Sequence, residues 1–327
     1  LGFAVYLFLP QLARIEHAFR LVSTLKIPLV ALSIGAQVLS YLGSGYLLRT
    51  VVKLAAKPIS VVDGALLTAG ANSIGTLGGG IVGTAGMTYL WLRRRGVNPG
   101  AAGLGGWLPI FLNNATLAVV SLVGLAVLLF LKKSSGVLVV SLCLAILILA
   151  GGAAFLLWCL AYREKLAPMA MGITGFIAKL RHRVQDRPAT EAAVRRLLDG
   201  WDALLQGGWR GPVLGAVLNT GFDMLTLAFL FLAAGHGVSV AVLVAGYGVP
   251  QLLGKLTVIL GGIGVVEATM IGLYDTLGVP RPIAVVVVLG YRLLSFWLPT
   301  LAGIALATYF EHSLFVKSDD SDAQARV

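Results

Sequence analysis

The sequence predicts an all-α polytopic membrane protein of about seven to nine segments, with two glycine-broken re-entrant hairpins in an inverted repeat. Three observations lead there. Only 12% of the 327 residues are charged against 58% hydrophobic, with a mean hydropathy of +0.91, where a soluble domain carries about 25% charged residues. The spans 64–92, 96–131, 134–162 and 224–254 contain no Asp, Glu, Lys or Arg, and each exceeds the roughly 20 residues that cross a hydrocarbon core. Finally, glycines cluster in the middle of two apolar segments.

Apolar spans fall at about 1–13, 27–48, 64–92, 102–131, 136–162, 211–234, 238–259, 261–278 and 282–310. The chain begins within a hydrophobic run, as expected of a first span cut short, and that run does not read as a cleavable signal peptide. The linker 163–210 holds nine of the 25 Lys and Arg residues. Two amphipathic helices are expected in it, one on Ile173, Phe176, Ile177, Leu180 and Val184, the other on Val194, Leu197, Leu198, Trp201, Leu204 and Leu205. They could lie on an anionic leaflet or against the protein's own face. Positive charge favours the cytoplasm, which places the linker, Arg93–Arg95 and the polar tail 311–327 inside a plasma (inner) membrane. A full crossing by 64–92 would strand Arg49, Lys53 and Lys57 outside. A dip and return keeps both flanks inside, and Gly78, Gly79 and Gly80 supply the turn, in a place where irregular backbone must face protein or a wet cavity.

The second half reads as the first turned over. The first repeat covers about 27–131 and the second about 211–310, with 136–162 as a connecting helix. A broken pair, 238–259 and 261–278, interrupted at Gly261, Gly262 and Gly264, answers the first hairpin. Aligning Gly96-Val97 with Gly278-Val279 sets Gly79 and Gly80 on Gly261 and Gly262, and Ala102 on Ala284. Broken hydrophobic segments in matching places point to a transporter with a midplane site.

The spans of the first half hold almost no ionisable groups, whereas the second half carries Asp223, Lys255, Glu267 and Arg292. One charge at the bilayer centre costs about 2.5–3.5 kcal/mol on insertion scales, so these four must face one another or water. Their formal charges cancel, and Glu267 is expected to pair with Arg292 or Lys255. They are expected to line a polar cavity, either to hold a cation, a proton or a headgroup, or only to fix helix packing. Asn113 and Asn114 are read as interhelical hydrogen-bonding or cavity-lining groups.

Other signals carry less. The basic balance of +11 lies in short blocks at span ends, which argues for membrane orientation and against nucleic acid. Gly78-x-Gly80-x-x-Gly83 matches a dinucleotide fingerprint, but no βαβ unit can surround it in a membrane. Cys143 and Cys159 share one span and read as apolar core residues. The four histidines lack metal spacing, and no nucleophile constellation assembles, so no metal, cofactor or catalytic activity is expected.

The runs GGIGVVEA (Gly261–Ala268), LGV (Leu277–Val279) and YRLLSFWLP (Tyr291–Pro299) closely resemble the closing signature of the lysylphosphatidylglycerol synthase transmembrane, or flippase-like, family. LNTGFDMLTLAFLFLAAG (Leu218–Gly235) and RRRGV (Arg93–Val97) also look familial. The resemblance implies a multi-helix membrane domain proposed to move aminoacylated or glycosylated lipids between leaflets, with Asp223, Glu267 and Arg292 at the family's polar positions. Two features depart from the pattern. Asn113-Asn114 stands where many members carry Glu-Arg, and the first glycine segment lacks the usual acid and arginine. The longest polar stretch is the linker, so aminoacyl transfer is not expected.

The expected function is thus a lipid flippase whose cavity takes an anionic, aminoacylated or glycosylated headgroup. Without an ATP motif, movement would be facilitated or ion-driven, with Glu267 as proton carrier. The rival expectation is a scaffold that docks a separate transferase through 163–210; an intramembrane enzyme is a third.

Overall fold

The computed structural model describes residues 25–56, 58–76, 80–130, 202–256 and 262–305, with isolated positions between 147 and 199. Residues 1–13, the helix expected at 136–162, nearly all of the linker, the tail 311–327 and Gly78, Gly79 and Gly261 lie outside these. Every described element is helical: α1 (Ile27–Lys53), α2 (Val61–Ile74), α3 (Gly80–Arg94), α4 (Pro99–Phe130), α5 (Arg210–Ala233), α6 (Val240–Leu256), α7 (Val265–Thr276) and α8 (Arg281–Arg292). The last helix runs on through a wide turn at Leu293–Trp297 to Ala305. Among the described residues, four stretches are long and apolar enough to cross a membrane: Ile27–Lys53, Pro99–Ala126, Arg210–Ala233 and Arg281–Ala305.

Small residues decide which helices meet. α1 buries Ser33, Ala36, Ser40, Gly43, Ser44 and Gly45; Ser40 and Gly43 let the α5 backbone approach closely and Gly45 lets α2 do so, as small residues do in membranes. A Cβ on Gly43 would come within 2.7 Å of the Asn219 nitrogen, and one on Gly215 within 2.6 Å of the Leu47 Cα. Gly211 abuts Thr50, while at the opposite end the Lys26 amide donates to the Ala233 carbonyl at 3.1 Å. As α1 ascends α5 descends, so the two are antiparallel.

The described arms of the two expected hairpins run 14 and 15 residues for α2 and α3, and 17 and 12 for α6 and α7. Each pair folds back on itself. Asp63, in the first turn of α2, pairs with Arg95 just past α3 at 2.6 Å, closing the mouth of the first. In the second, the Tyr274 hydroxyl donates to the Leu243 carbonyl at 3.2 Å, and Gly254 meets Gly262 near the other end.

The matched glycines adopt matched backbones. Gly80 and Gly262 have φ of +53° and +66°, and Gly96 and Gly278 have +80° and +92°. After Gly96 the Val97 amide donates to the Leu92 carbonyl at 3.0 Å; after Gly278 the Val279 amide donates to the Tyr274 carbonyl at 3.0 Å. Both are left-handed glycine caps that satisfy orphan carbonyls at a helix end. Ala102 and Ala284, at the same separation in sequence, are fully buried.

Two further antiparallel contacts hold the helices together. α4 runs antiparallel to α6, with Gly124 against Ala245 and Gly248 against Ser121. The last helix runs antiparallel to α2, where Gly303 abuts Ala69 and Ser73, and the Ser73 hydroxyl donates to the Pro299 carbonyl at 3.4 Å.

Candidate functional site

Between the two sets of helices lies a cavity of about 700 Å³, within the range of ligand-binding sites. Its wall is polar in a chain that otherwise is not. α1 contributes Gln37, Ser40, Tyr41 and Ser44, the first hairpin Asn72, Ser73, Thr76 and Thr84, and α4 Asn113 and Asn114. From the second half come Asn219 and Asp223 on α5, Tyr247, Gln251 and Lys255 on α6, and Tyr291 and Arg292 on α8. These positions recur at helical spacing (37, 40, 41, 44; 247, 251, 255), so each helix presents one polar stripe inward.

Arg292 and Glu267 form the ion pair expected from the sequence. Both are about 95% buried, and the guanidinium Nε donates to Glu267 Oε1 at 2.6 Å. Glu267 Oε2 accepts the Gly264 amide at 2.7 Å, which satisfies an orphan donor at the start of α7. Arg292 also lies 4.1 Å from the Phe296 ring centroid, a cation–π distance. Glu267 therefore stands behind Arg292, and it is Arg292 that reaches the cavity wall.

Asp223, for which the sequence offered no obvious partner, is held by two tyrosines. Its Oδ2 accepts from the Tyr247 hydroxyl at 2.7 Å and from the Tyr291 hydroxyl at 2.6 Å. The Gln251 amide donates to the Tyr291 hydroxyl at 2.6 Å. The two rings meet edge to face, with centroids 6.3 Å apart. The network joins α5, α6 and α8 through one carboxylate. Charge-assisted hydrogen bonds of this kind contribute about 1.5–3 kcal/mol each.

Lys255 behaves differently. It does not take the role of Glu267's partner, and among the described residues it has no ion-pair partner. Its exposed surface belongs to the cavity. Among the described residues, two further buried acceptors on the wall, Gln37 Oε1 and Asn113 Oδ1, have no hydrogen-bond partner. A cavity presenting a cation beside unused acceptors suits a ligand with both an anionic group and donors, since buried polar groups left unpaired are costly.

Of the described hinge glycines, Gly80 reaches the cavity, while Gly262 and Gly264 shape the entry to α7; Gly254, on α6, also lines the cavity. Gly254, Tyr247, Gln251, Tyr291 and Gln37 were not anticipated. The signal was present for the α6 group, because Tyr247, Gln251 and Lys255 are spaced four apart, and for Tyr291 as the neighbour of Arg292.

The sequence model of the lysylphosphatidylglycerol synthase TM region matches residues 1–303. A UPF0104 membrane protein of Pyrococcus horikoshii is 35% identical over 83 residues, 25% of this chain and 25% of that protein. One from Methanocaldococcus jannaschii is 32% identical over 104 residues, 32% of this chain and 29% of the relative. One from Methanothermobacter thermautotrophicus is 29% identical over 98 residues, 30% and 29% of the two chains. Each aligned stretch is thus less than a third of the relative's length. The helices, the buried Glu267–Arg292 pair and a match spanning nearly the whole sequence lead to one conclusion: the chain is a multi-pass membrane protein and belongs to the lysylphosphatidylglycerol synthase TM-region family.

Proposed function

We propose that this protein moves lipids between leaflets, taking the polar headgroup through the cavity while the acyl chains stay in the bilayer. The observation that carries the reading is the cavity itself: about 700 Å³ into which hydroxyl, amide and charged side chains converge between apolar ones, inside an apolar helical protein. Lys255 and Arg292 face an anionic headgroup group, and Gln37, Asn113 and Asp223 face its donors. No bond is made or broken in this reading. Any coupling proton or cation binds at Asp223 rather than Glu267, because both Glu267 oxygens are engaged by Arg292 and by the first turn of α7.

The proposal includes an inverted repeat with re-entrant hairpins. Its support is the antiparallel crossing of α1 with α5, the paired glycine caps, and the parallel roles of the α4–α6 and last helix–α2 contacts. In such a frame a binding site lies near the midplane, between the two repeats.

Reconstitution tests the function. In vesicles of phosphatidylglycerol and phosphatidylethanolamine carrying a fluorophore-tagged phospholipid, the purified protein should expose inner-leaflet label to external dithionite faster than protein-free vesicles. Lys255→Gln and Asp223→Asn should each slow this about tenfold, the effect of losing roughly 1.4 kcal/mol from the rate-limiting barrier. Wild-type rates in both variants would remove the cavity from the pathway.

A further inference from the structure

A second, apolar hollow of about 310 Å³ adjoins the polar cavity on the side of α1, α2 and the last helix. Its walls are aliphatic, built from Val38, Leu42, Val62, Leu66, Leu294 and Leu298 among others. Gln37, Tyr41 and Pro299 line both spaces and so form the partition between them. Val38, Val62 and Leu298 are 55%, 58% and 49% exposed, so the hollow opens outward, toward the lipid side of helices that cross the membrane.

The partition has a chemical cause. Pro299 has no N–H to offer the carbonyl four residues back, which is that of Ser295. The Tyr41 hydroxyl donates to this carbonyl at 3.3 Å. On the same helix, the Ser73 hydroxyl donates to the Pro299 carbonyl at 3.4 Å. Two hydroxyls from α1 and α2 thus tie the last helix down along a line, with polar groups on one side and aliphatic groups on the other.

We propose that this groove seats an acyl chain of the lipid whose headgroup occupies the polar cavity, and that the line through Gln37, Tyr41 and Pro299 is the portal between them. The inference rests on the transport reading above. Continuity with the cavity selects the occupant: a chain in this groove is within one side chain of a headgroup site, and its aliphatic wall offers no partner to a polar ligand.

The test uses the full chain in nanodiscs with a phospholipid bearing a diazirine midway along one acyl chain. After photolysis, peptides carrying Val38, Leu66 or Leu298 should hold several-fold more adduct than the peptide carrying Leu214, Val217 and Leu225, which are exposed on α5. Val38→Trp, which fills the groove, should lower adducts on the Leu298 peptide several-fold and slow scrambling. Ile34→Trp, on the same wall one helical turn earlier, serves if Val38→Trp fails to elute as folded protein. Equal labelling of groove and α5 peptides would mean ordinary surrounding lipid, and a groove that labels less than α5 would mean it is covered by a second copy of the chain; either overturns the proposal. Wild-type labelling and scrambling in both tryptophan variants overturn it as well. Groove labelling is read without any transport, so a wild-type protein that labels but does not scramble would remove the transport reading and leave the acyl seat standing.

Discussion

Arg292 donates to Glu267 at 2.6 Å and stacks on Phe296 in a site that is almost fully buried. Such a pair is strong evidence of mutual need and weak evidence of net stabilisation. Removing one partner strands the other and costs about 3–5 kcal/mol, whereas replacing both by apolar groups of similar size can be neutral. Glu267→Gln or Arg292→Gln should therefore lower the thermal midpoint in detergent sharply. Glu267→Met combined with Arg292→Met should recover much of that loss. Additive losses in the double variant would show that the two side chains act independently. The pair was legible in the sequence because a lone charge in an apolar span needs a countercharge. The setting of Asp223 was not, since tyrosine in an apolar helix reads equally well as core: Tyr274 is just that, packed on Phe231 with centroids 4.8 Å apart.

At the level of elements, backbone approach decides the packing. Gly215 touches the backbone of Leu47, while Gly221, on the same helix, has open space where a Cβ would go. Gly215→Ala should destabilise the protein, because α1 and α5 must separate. Gly221→Ala should be neutral or mildly stabilising, as alanine is favoured over glycine in a helix by about 1 kcal/mol. Equal melting of the two variants would contradict the α1–α5 crossing. Helix ends followed from the sequence closely, since the Gly-Val caps and the charge-free lengths mark them. Which helix meets which did not. The Gly211-x-x-x-Gly215 spacing announces a close contact, but it does not name the partner: the small residues of α1 fall on one face, at 33, 36, 40 and 43, yet small residues recur along other helices of this chain as well.

On the scale of the whole molecule, the proposed inverted frame makes a topological prediction. The cap after α3 and the cap after α7 should face opposite sides of the membrane, although they share one local geometry. In a background carrying Cys143→Ser and Cys159→Ser, Arg94→Cys and Arg281→Cys supply one exposed thiol each. A membrane-impermeant maleimide added to intact cells should label the Arg281→Cys variant alone, and both only after permeabilisation. Labelling of both in intact cells would end the inverted arrangement. The sequence hinted at this symmetry through two glycine-led runs, yet it could not reveal how far the likeness goes in backbone while failing in chemistry.

That failure is worth following. Counting along the chain by the interval that joins the matched glycines, Glu267 falls on Ala85 and Arg292 on Ile110, while Asp223 falls on Tyr41 and Lys255 on Ser73. In the inverted frame proposed above, the first half shares the contour without the charge, and every charged side chain on the cavity wall among the described residues belongs to the second. A headgroup carried as proposed would meet the same contour twice but attraction only once, so its preferred resting place would lie off-centre, toward the later half.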